Sequence, residues 1–154
     1  MKKILIALDY DPTAQKVAEV GFSLAKAMNA EVVLLHVLSD AVYYSSVDYS
    51  PIMGYTGLGQ SQIIDSIDGL KNAAQNFLNK SKQHLGDETI QALVKEGVLA
   101  DTILETAKDL HIDIIVMGSH SRKWLENILM GSVTEKVLHS ITIPIFIIPT
   151  KKHN

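Results

Sequence analysis

Cysteine is absent from this 154-residue chain, which excludes disulfide bonds, thiolate metal sites and cysteine nucleophiles. No apolar run approaches the roughly 20 residues that a membrane-spanning helix needs. The basic start at Met1 is followed by an apolar stretch that Asp9 cuts short, without a cleavage site, so no signal peptide is predicted. A net charge of −3 argues against general nucleic-acid binding, which requires a positive surface. We therefore expect a cytoplasmic protein with neither membrane nor nucleic acid as a partner.

Short apolar runs alternate with amphipathic segments along the chain. The short apolar runs are typical of strands covered on both faces. The amphipathic segments have apolar residues at every third or fourth position, which predicts helices. Predicted strands cover residues 3–9, 31–38, 89–95, 112–117 and 143–148, and predicted helices cover residues 12–28, 63–85, 100–110 and 132–139. In the first helix the repeating positions are Val17, Val20, Gly21, Leu24 and Met28, with Asn29 as a stop. This order predicts one α/β domain with a five-stranded, Rossmann-like parallel sheet and helices on both faces.

Residues 39–62 interrupt the alternation. The segment contains four tyrosines, one proline and three glycines, and it has neither helical nor strand periodicity. A loop of this length in a compact domain is usually a lid, a binding loop or a disordered insertion. We expect a long flexible loop, and its role stays open between a lid, disorder and dimer packing.

A gapped glycine motif follows the fourth predicted strand. Gly118-Ser119-His120-Ser121 is separated by nine residues from Gly131-Ser132-Val133, where a helical pattern begins. Glycines let the backbone approach a phosphate closely, and the free N–H groups of a first helical turn point at an anion. The spacing fits neither a Walker A loop nor a Rossmann fingerprint. It predicts another type of nucleotide site, at the carboxyl edge of the sheet where such proteins bind ligands.

Four segments together resemble the universal stress protein family over nearly the whole chain. They are the opening KILIALD, the run VVLLHV at 32–37, the segment GVLADTILETA at 97–107, and IIVMGSHS-x9-GSVTEKVL followed by IPIFIIP. Gly118, Gly131 and Ser132 match the family's ATP-binding branch, whereas Ser121 stands where that branch has a glycine. A left-handed backbone at Ser121 would cost roughly 1–2 kcal/mol. The resemblance therefore implies an ATP site that is about tenfold weaker if this position needs a left-handed backbone, and that avoids this cost if the loop bends differently.

The same resemblance implies roles for residues at the ends of the first two strands. Ala7, Leu8 and Val37 would line an adenine slot, with the backbone of Val37 reading the base. Asp9 would lie near the ribose or bind the magnesium ion of Mg-ATP, since a carboxylate suits either task. Alternatively, Asp9 only caps the helix that begins near Pro12.

Further along the chain, the resemblance implies the phosphate contacts. Met117 and Gly118 would flank the ribose and the α-phosphate. The backbone N–H groups of Gly131, Ser132 and Val133 would hold the outer phosphates. Charge-assisted hydrogen bonds of this type are each worth about 1.5–3 kcal/mol. Outside this site, the histidine within the second apolar strand, at position 36, is predicted to be a hydrogen-bonded core residue.

The family also implies a homodimer formed through the last strand, with Ile143, Ile145 and Ile147 at the interface. An apolar last strand at the edge of a sheet would otherwise need protection. No catalytic constellation is recognisable, so we expect a regulator or sensor of the stress response that binds ATP with little or no hydrolysis. Three alternatives stay open: a nucleotide-free protein acting through protein contacts, a slow ATP hydrolase or related nucleotide hydrolase, and a site for AMP or a cyclic nucleotide.

Overall fold

The computed structural model describes residues 1–9, 12–38, 49–50, 54–55, 60–118 and 142–149. The strands are β1 (Lys3–Ala7), β2 (Glu31–Leu38), β3 (Tyr49–Ser50), β4 (Gly54–Tyr55), β5 (Gln91–Glu96), β6 (Ile114–Gly118) and β7 (Ile145–Ile148). The helices are α1 (Ala14–Ala27), α2 (Gln60–Leu85) and α3 (Leu99–Asp109). None of these described helices is long and apolar enough to cross a membrane. The helix predicted over residues 132–139 lies outside the described residues.

Five strands form one sheet in the order β5-β2-β1-β6-β7, and each neighbouring pair is parallel. The predicted α/β class and parallel sheet are therefore confirmed. The chain proceeds outward from β1 through β2 to β5, and then crosses back to β6 on the other side of β1. The order reverses between β1 and β6, which is where open parallel sheets bind their ligands.

Helices cover both faces of the sheet. On one face Leu5 and Ala7 of β1 are buried in a cluster that includes Ile103 of α3. On the other face Ile4 is buried in a cluster that includes Leu78 of α2, together with residues of α1. Because alternate side chains of β1 enter different cores, almost every residue of this strand must be apolar. This double burial explains the nearly continuous apolar run.

Two helices end where the sequence predicts. Asn29, just after α1, has a φ of 53°, and Gly86, just after α2, has a φ of 74°. Both lie in the left-handed region, which glycine and asparagine adopt at lower cost than other residues. The Asn29 N–H donates to the carbonyl of Lys26 at 3.1 Å, which closes the end of α1.

The predicted loop over residues 39–62 is wrong at two places. β3 and β4 form a short antiparallel pair with Tyr49 opposite Tyr55, and α2 begins at Gln60 rather than at residue 63. Two-residue strands are too short to show alternation. The first turn of α2 is polar, so apolar periodicity cannot reveal it. The rest of the segment lies outside the described residues. Elsewhere the predicted ends differ from the observed ones by at most two residues.

Candidate functional site

The carboxyl ends of β1, β2 and β6 form the edge at the switch point. Six of the ten predicted binding residues lie on these strand ends: Ala7, Leu8, Asp9, Val37, Met117 and Gly118. The other four, Ser121, Gly131, Ser132 and Val133, lie outside the described residues. The structure therefore brings together the predicted base-side and ribose-side residues, and the phosphate-side contacts stay a prediction.

The floor of this edge is apolar. Ala7, Val37 and Met117 stand at the ends of adjacent strands and are buried in the cluster that includes α3. Ala7 on the central strand has a smaller side chain than its neighbours Val37 and Met117. Since these side chains are at most 3% exposed, a ligand at the edge would meet chiefly backbone groups.

The backbone of Val37 is directed toward the end of β1. In a parallel ladder, alternate residues of a strand direct both their N–H and their C=O to the same neighbouring strand. The Leu8 N–H donates to the Leu35 carbonyl at 2.8 Å, so Val37, two residues further on, also faces β1. Strand β1 ends at Ala7. Among the described residues, no backbone hydrogen bond joins the Val37 N–H to the Leu8 carbonyl.

His36 supplies the donor to that carbonyl. Its Nδ1 atom lies 2.7 Å from the Leu8 oxygen, and the residue is 3% exposed. A carbonyl can only accept, so Nδ1 carries the hydrogen. The ring of Phe77 from α2 meets the imidazole edge to face, with centroids 6.1 Å apart. The prediction of a hydrogen-bonded core histidine is confirmed.

Electrostatics at His36 favour the neutral imidazole. Burial lowers its pKa below the ordinary value, because a charged ring would lose its hydration. The hydrogen bond to Leu8 and the negative charge of Asp9 both act in the opposite direction and raise the pKa by less. The carboxylate of Asp9 is thus close enough to His36 to influence it.

The two roles considered for Asp9, ligand contact and helix capping, both stay predictions. The N-cap position of α1 is Thr13, which makes no capping hydrogen bond through its side chain. Within the described ranges, no group of three histidine, aspartate or glutamate side chains could hold a metal ion. A magnesium ion at Asp9 would therefore need ligands from a nucleotide, from water or from residues beyond these ranges.

A separate groove of about 370 Å³ lies between α1 and α2, and none of the predicted site residues lines it. Its lining residues are Pro12, Ala14, Gln15, Ala18, Phe77, Lys80, Ser81 and His84. On its rim the carboxylate of Glu19 accepts from His84 Nε2 at 2.7 Å, and this bond lowers the pKa of Glu19. Helical periodicity cannot detect such a groove, because it depends on how two helices pack.

The described architecture is that of a doubly wound α/β protein whose strand order reverses between β1 and β6. The sequence model of the universal stress protein family matches residues 1–149. The chain therefore belongs to the universal stress protein family.

Known members resemble the chain from end to end. Universal stress protein MJ0577 of Methanocaldococcus jannaschii is 32% identical over 157 residues, spanning 97% of this chain and 96% of that protein. The structure of MJ0577 has a TM-score of 0.69 at 28% identity and covers 99% and 98% of the two chains.

Two further structures share the fold at lower identity. A universal stress protein in complex with cAMP has a TM-score of 0.58 at 17% identity, covering 97% of this chain and 98% of that one. The universal stress protein from Archaeoglobus fulgidus in complex with dAMP has a TM-score of 0.51 at 19% identity, covering 96% and 98%.

Proposed function

We propose that this universal stress protein binds an adenine nucleotide, preferentially ATP, at the carboxyl edge of β1, β2 and β6. It acts in the cytoplasm as a sensor or regulator of the stress response, with little or no hydrolysis. The observation that carries the proposal is the backbone of Val37, which faces the end of β1 above the buried Ala7. The family members solved with cAMP and dAMP support an adenine nucleotide as the ligand class.

Recognition of the base follows from donor and acceptor patterns. The Watson–Crick edge of adenine presents an acceptor at N1 beside a donor at the 6-amino group. The Val37 N–H and C=O, directed to the same side, form the complementary pair. Guanine presents a donor at N1 beside an acceptor at O6, so it would meet like groups at both positions. The site should therefore discriminate strongly against guanine nucleotides.

The phosphates would extend past the end of β6. Met117 and Gly118 lead the chain from the sheet into the glycine motif. The backbone N–H groups at Gly131, Ser132 and Val133 would then receive the outer phosphates at a helix start. Asp9 would contact the ribose or a magnesium ion on the phosphates. Phosphoryl transfer requires a group that positions the nucleophile at the γ-phosphate, and the only carboxylate of this set, Asp9, is assigned to the ribose or the magnesium ion.

A homodimer through β7 is the proposed assembly. This strand lies at the edge of the five-stranded sheet, and Phe146 and Ile147 are 49% and 39% exposed. Ile143 and Ile145 are half-buried against the α3-side core. Pairing of two such edges about a two-fold axis would cover the strand and its apolar side chains.

The test begins with natively purified protein, denatured and chromatographed for released nucleotide. Calorimetric titration of the stripped protein with Mg-ATP and Mg-GTP follows. We expect micromolar ATP binding and at least about tenfold weaker GTP binding. Gly131→Asp should abolish ATP binding, because it places a charge and a side chain against the phosphates.

Gly69→Asp is the matched control, since the Gly69 site on α2 is exposed and open. It should bind ATP like the wild type. A folded protein that releases no nucleotide and gives no binding heat would favour the alternative, a family member that acts only through protein contacts. Turnover clearly above that of Gly131→Asp would instead favour a hydrolase.

A further inference from the structure

The Leu8 carbonyl lies one residue past the last pair of the β1–β2 ladder, and it accepts a side-chain donor there in place of a backbone donor. If the parallel pattern continued, the next backbone hydrogen bond of the ladder would run from the Val37 N–H to this oxygen. In the structure the carbonyl accepts from His36 Nδ1 at 2.7 Å instead. The ladder between β1 and β2 stops after the bond from the Leu8 N–H to the Leu35 carbonyl.

We propose that His36 is a positioning residue: by occupying the Leu8 carbonyl with its Nδ1–H, it keeps the Val37 backbone open for the base of a nucleotide. The imidazole acts through Leu8 and Val37 and does not touch the ligand itself. The nucleotide in this inference rests on the proposed function. The identity of the donor to the Leu8 carbonyl does not depend on it.

The surroundings of His36 hold its ring in this arrangement. The residue is opposite Val94 in the register with β5, so its backbone is fixed on that side. The edge-to-face contact with Phe77 restricts the plane of the ring. An aliphatic side chain at this position would supply no donor. The buried Leu8 carbonyl would then require another partner, and the Val37 N–H is the nearest group in the ladder pattern.

Loss of the imidazole donor should therefore allow the next backbone hydrogen bond between β2 and β1 to form. The Val37 N–H would bond to Leu8, and the base would lose its donor at the edge. His36→Leu removes the donor and keeps an apolar side chain. His36→Asn is the matched variant, because its side-chain nitrogen can replace Nδ1 as a donor to Leu8 while the imidazole is lost.

Amide hydrogen exchange followed by NMR tests which donor occupies the Leu8 carbonyl, and it needs no nucleotide. In the wild-type protein the Val37 amide should exchange at least about tenfold faster than the Leu35 amide, which lies within the β1–β2 ladder. In His36→Leu the protection of Val37 should rise to that of Leu35, and in His36→Asn it should stay low. Equal protection of Val37 and Leu35 in the wild type would overturn the proposal even if no variant folds.

Calorimetry with Mg-ATP provides the second readout, with urea unfolding of each stripped variant alongside. We expect at least about tenfold weaker binding for His36→Leu and recovery of most of it in His36→Asn. If both variants lose stability but bind as the wild type does, the role of His36 is only structural and the proposal fails. If the wild type binds no nucleotide, the proposed function fails, while hydrogen exchange still decides which donor occupies Leu8.

Discussion

Gly21 of α1 packs so closely against Ile6 of β1 that a Cβ atom at position 21 would lie 2.7 Å from Ile6 Cδ1. The same atom would lie 3.3 Å from Val116 Cγ1 on β6. Both neighbours are fully buried, so neither can move aside without disturbing the core. Gly21 therefore sets the distance between α1 and the two strands that flank the switch point.

Gly21→Ala should destabilise the protein by about 1–2 kcal/mol, because overpacking of the core outweighs the gain in helix propensity. The matched control is Gly69→Ala on α2, where an added Cβ meets nothing within 4 Å. That change should stabilise by roughly 0.5–1 kcal/mol. Urea unfolding of the stripped proteins measures both. Ile6→Val removes the clashing Cδ1 atom, so Gly21→Ala should destabilise the Ile6→Val protein less than it destabilises the wild type. A stabilising Gly21→Ala would contradict the packing argument.

A second glycine prediction concerns the turn before α3. Gly97 has a φ of +144°, and a Cβ there would lie 2.5 Å from Thr102 Oγ1. Gly86 has a φ of +74° and open space around it. Gly97→Ala thus suffers both strain and a clash, and we expect it to cost about 2–4 kcal/mol, against about 1–2 kcal/mol for Gly86→Ala. Thermal unfolding checks the ranking, which equal losses would refute.

The sequence was sufficient to predict most elements but not every buried position. Periodicity placed Val20 on the inward stripe of α1, yet Val20 is 43% exposed. Val17 and Gly21 of the predicted stripe are buried, and the other buried residues of α1 are Ala14, Ala18, Phe22 and Ala25. Three of these residues are alanines, which fit where Gly21 brings the helix close to the sheet. Because hydrophobicity alone ranks valine above alanine, it favours Val20 as a buried position over the alanines that are buried.

At the candidate site, the features that could be predicted from the sequence lie within single strands. The apolar runs are enough to place Ala7 and Val37 near the ends of their strands, whereas the face that they share follows from the register of β1 with β2. The bond from His36 to Leu8 depends on the register between the two strands, which periodicity does not fix. The strand order that creates the switch point is likewise a property of the whole chain.

Stability should depend on pH through His36. Burial holds its pKa below the ordinary 6.5, so the unfolded chain binds more protons as the pH falls past that value. The stabilising contribution is complete above pH 6.5 and is lost as the pH falls through the pKa of the folded state. Urea unfolding at pH 7.5 and 5.5 should show a larger loss for the wild type than for His36→Asn, which cannot titrate. An identical loss in the two proteins would mean that other groups cause the dependence.

The proposed dimer makes the sharpest prediction about the surface. Phe146→Asp places a charge on β7, where the aromatic ring is 49% exposed, and burial of that charge against a second copy would be costly. Light scattering after size exclusion should show a dimer for the wild type and a monomer for this variant. Val98→Asp is the matched control, since Val98 is 62% exposed but lies on the turn before α3. It should leave the dimer intact. A wild-type monomer would refute the proposed dimer, and a dimer that survives Phe146→Asp would place the interface elsewhere than β7.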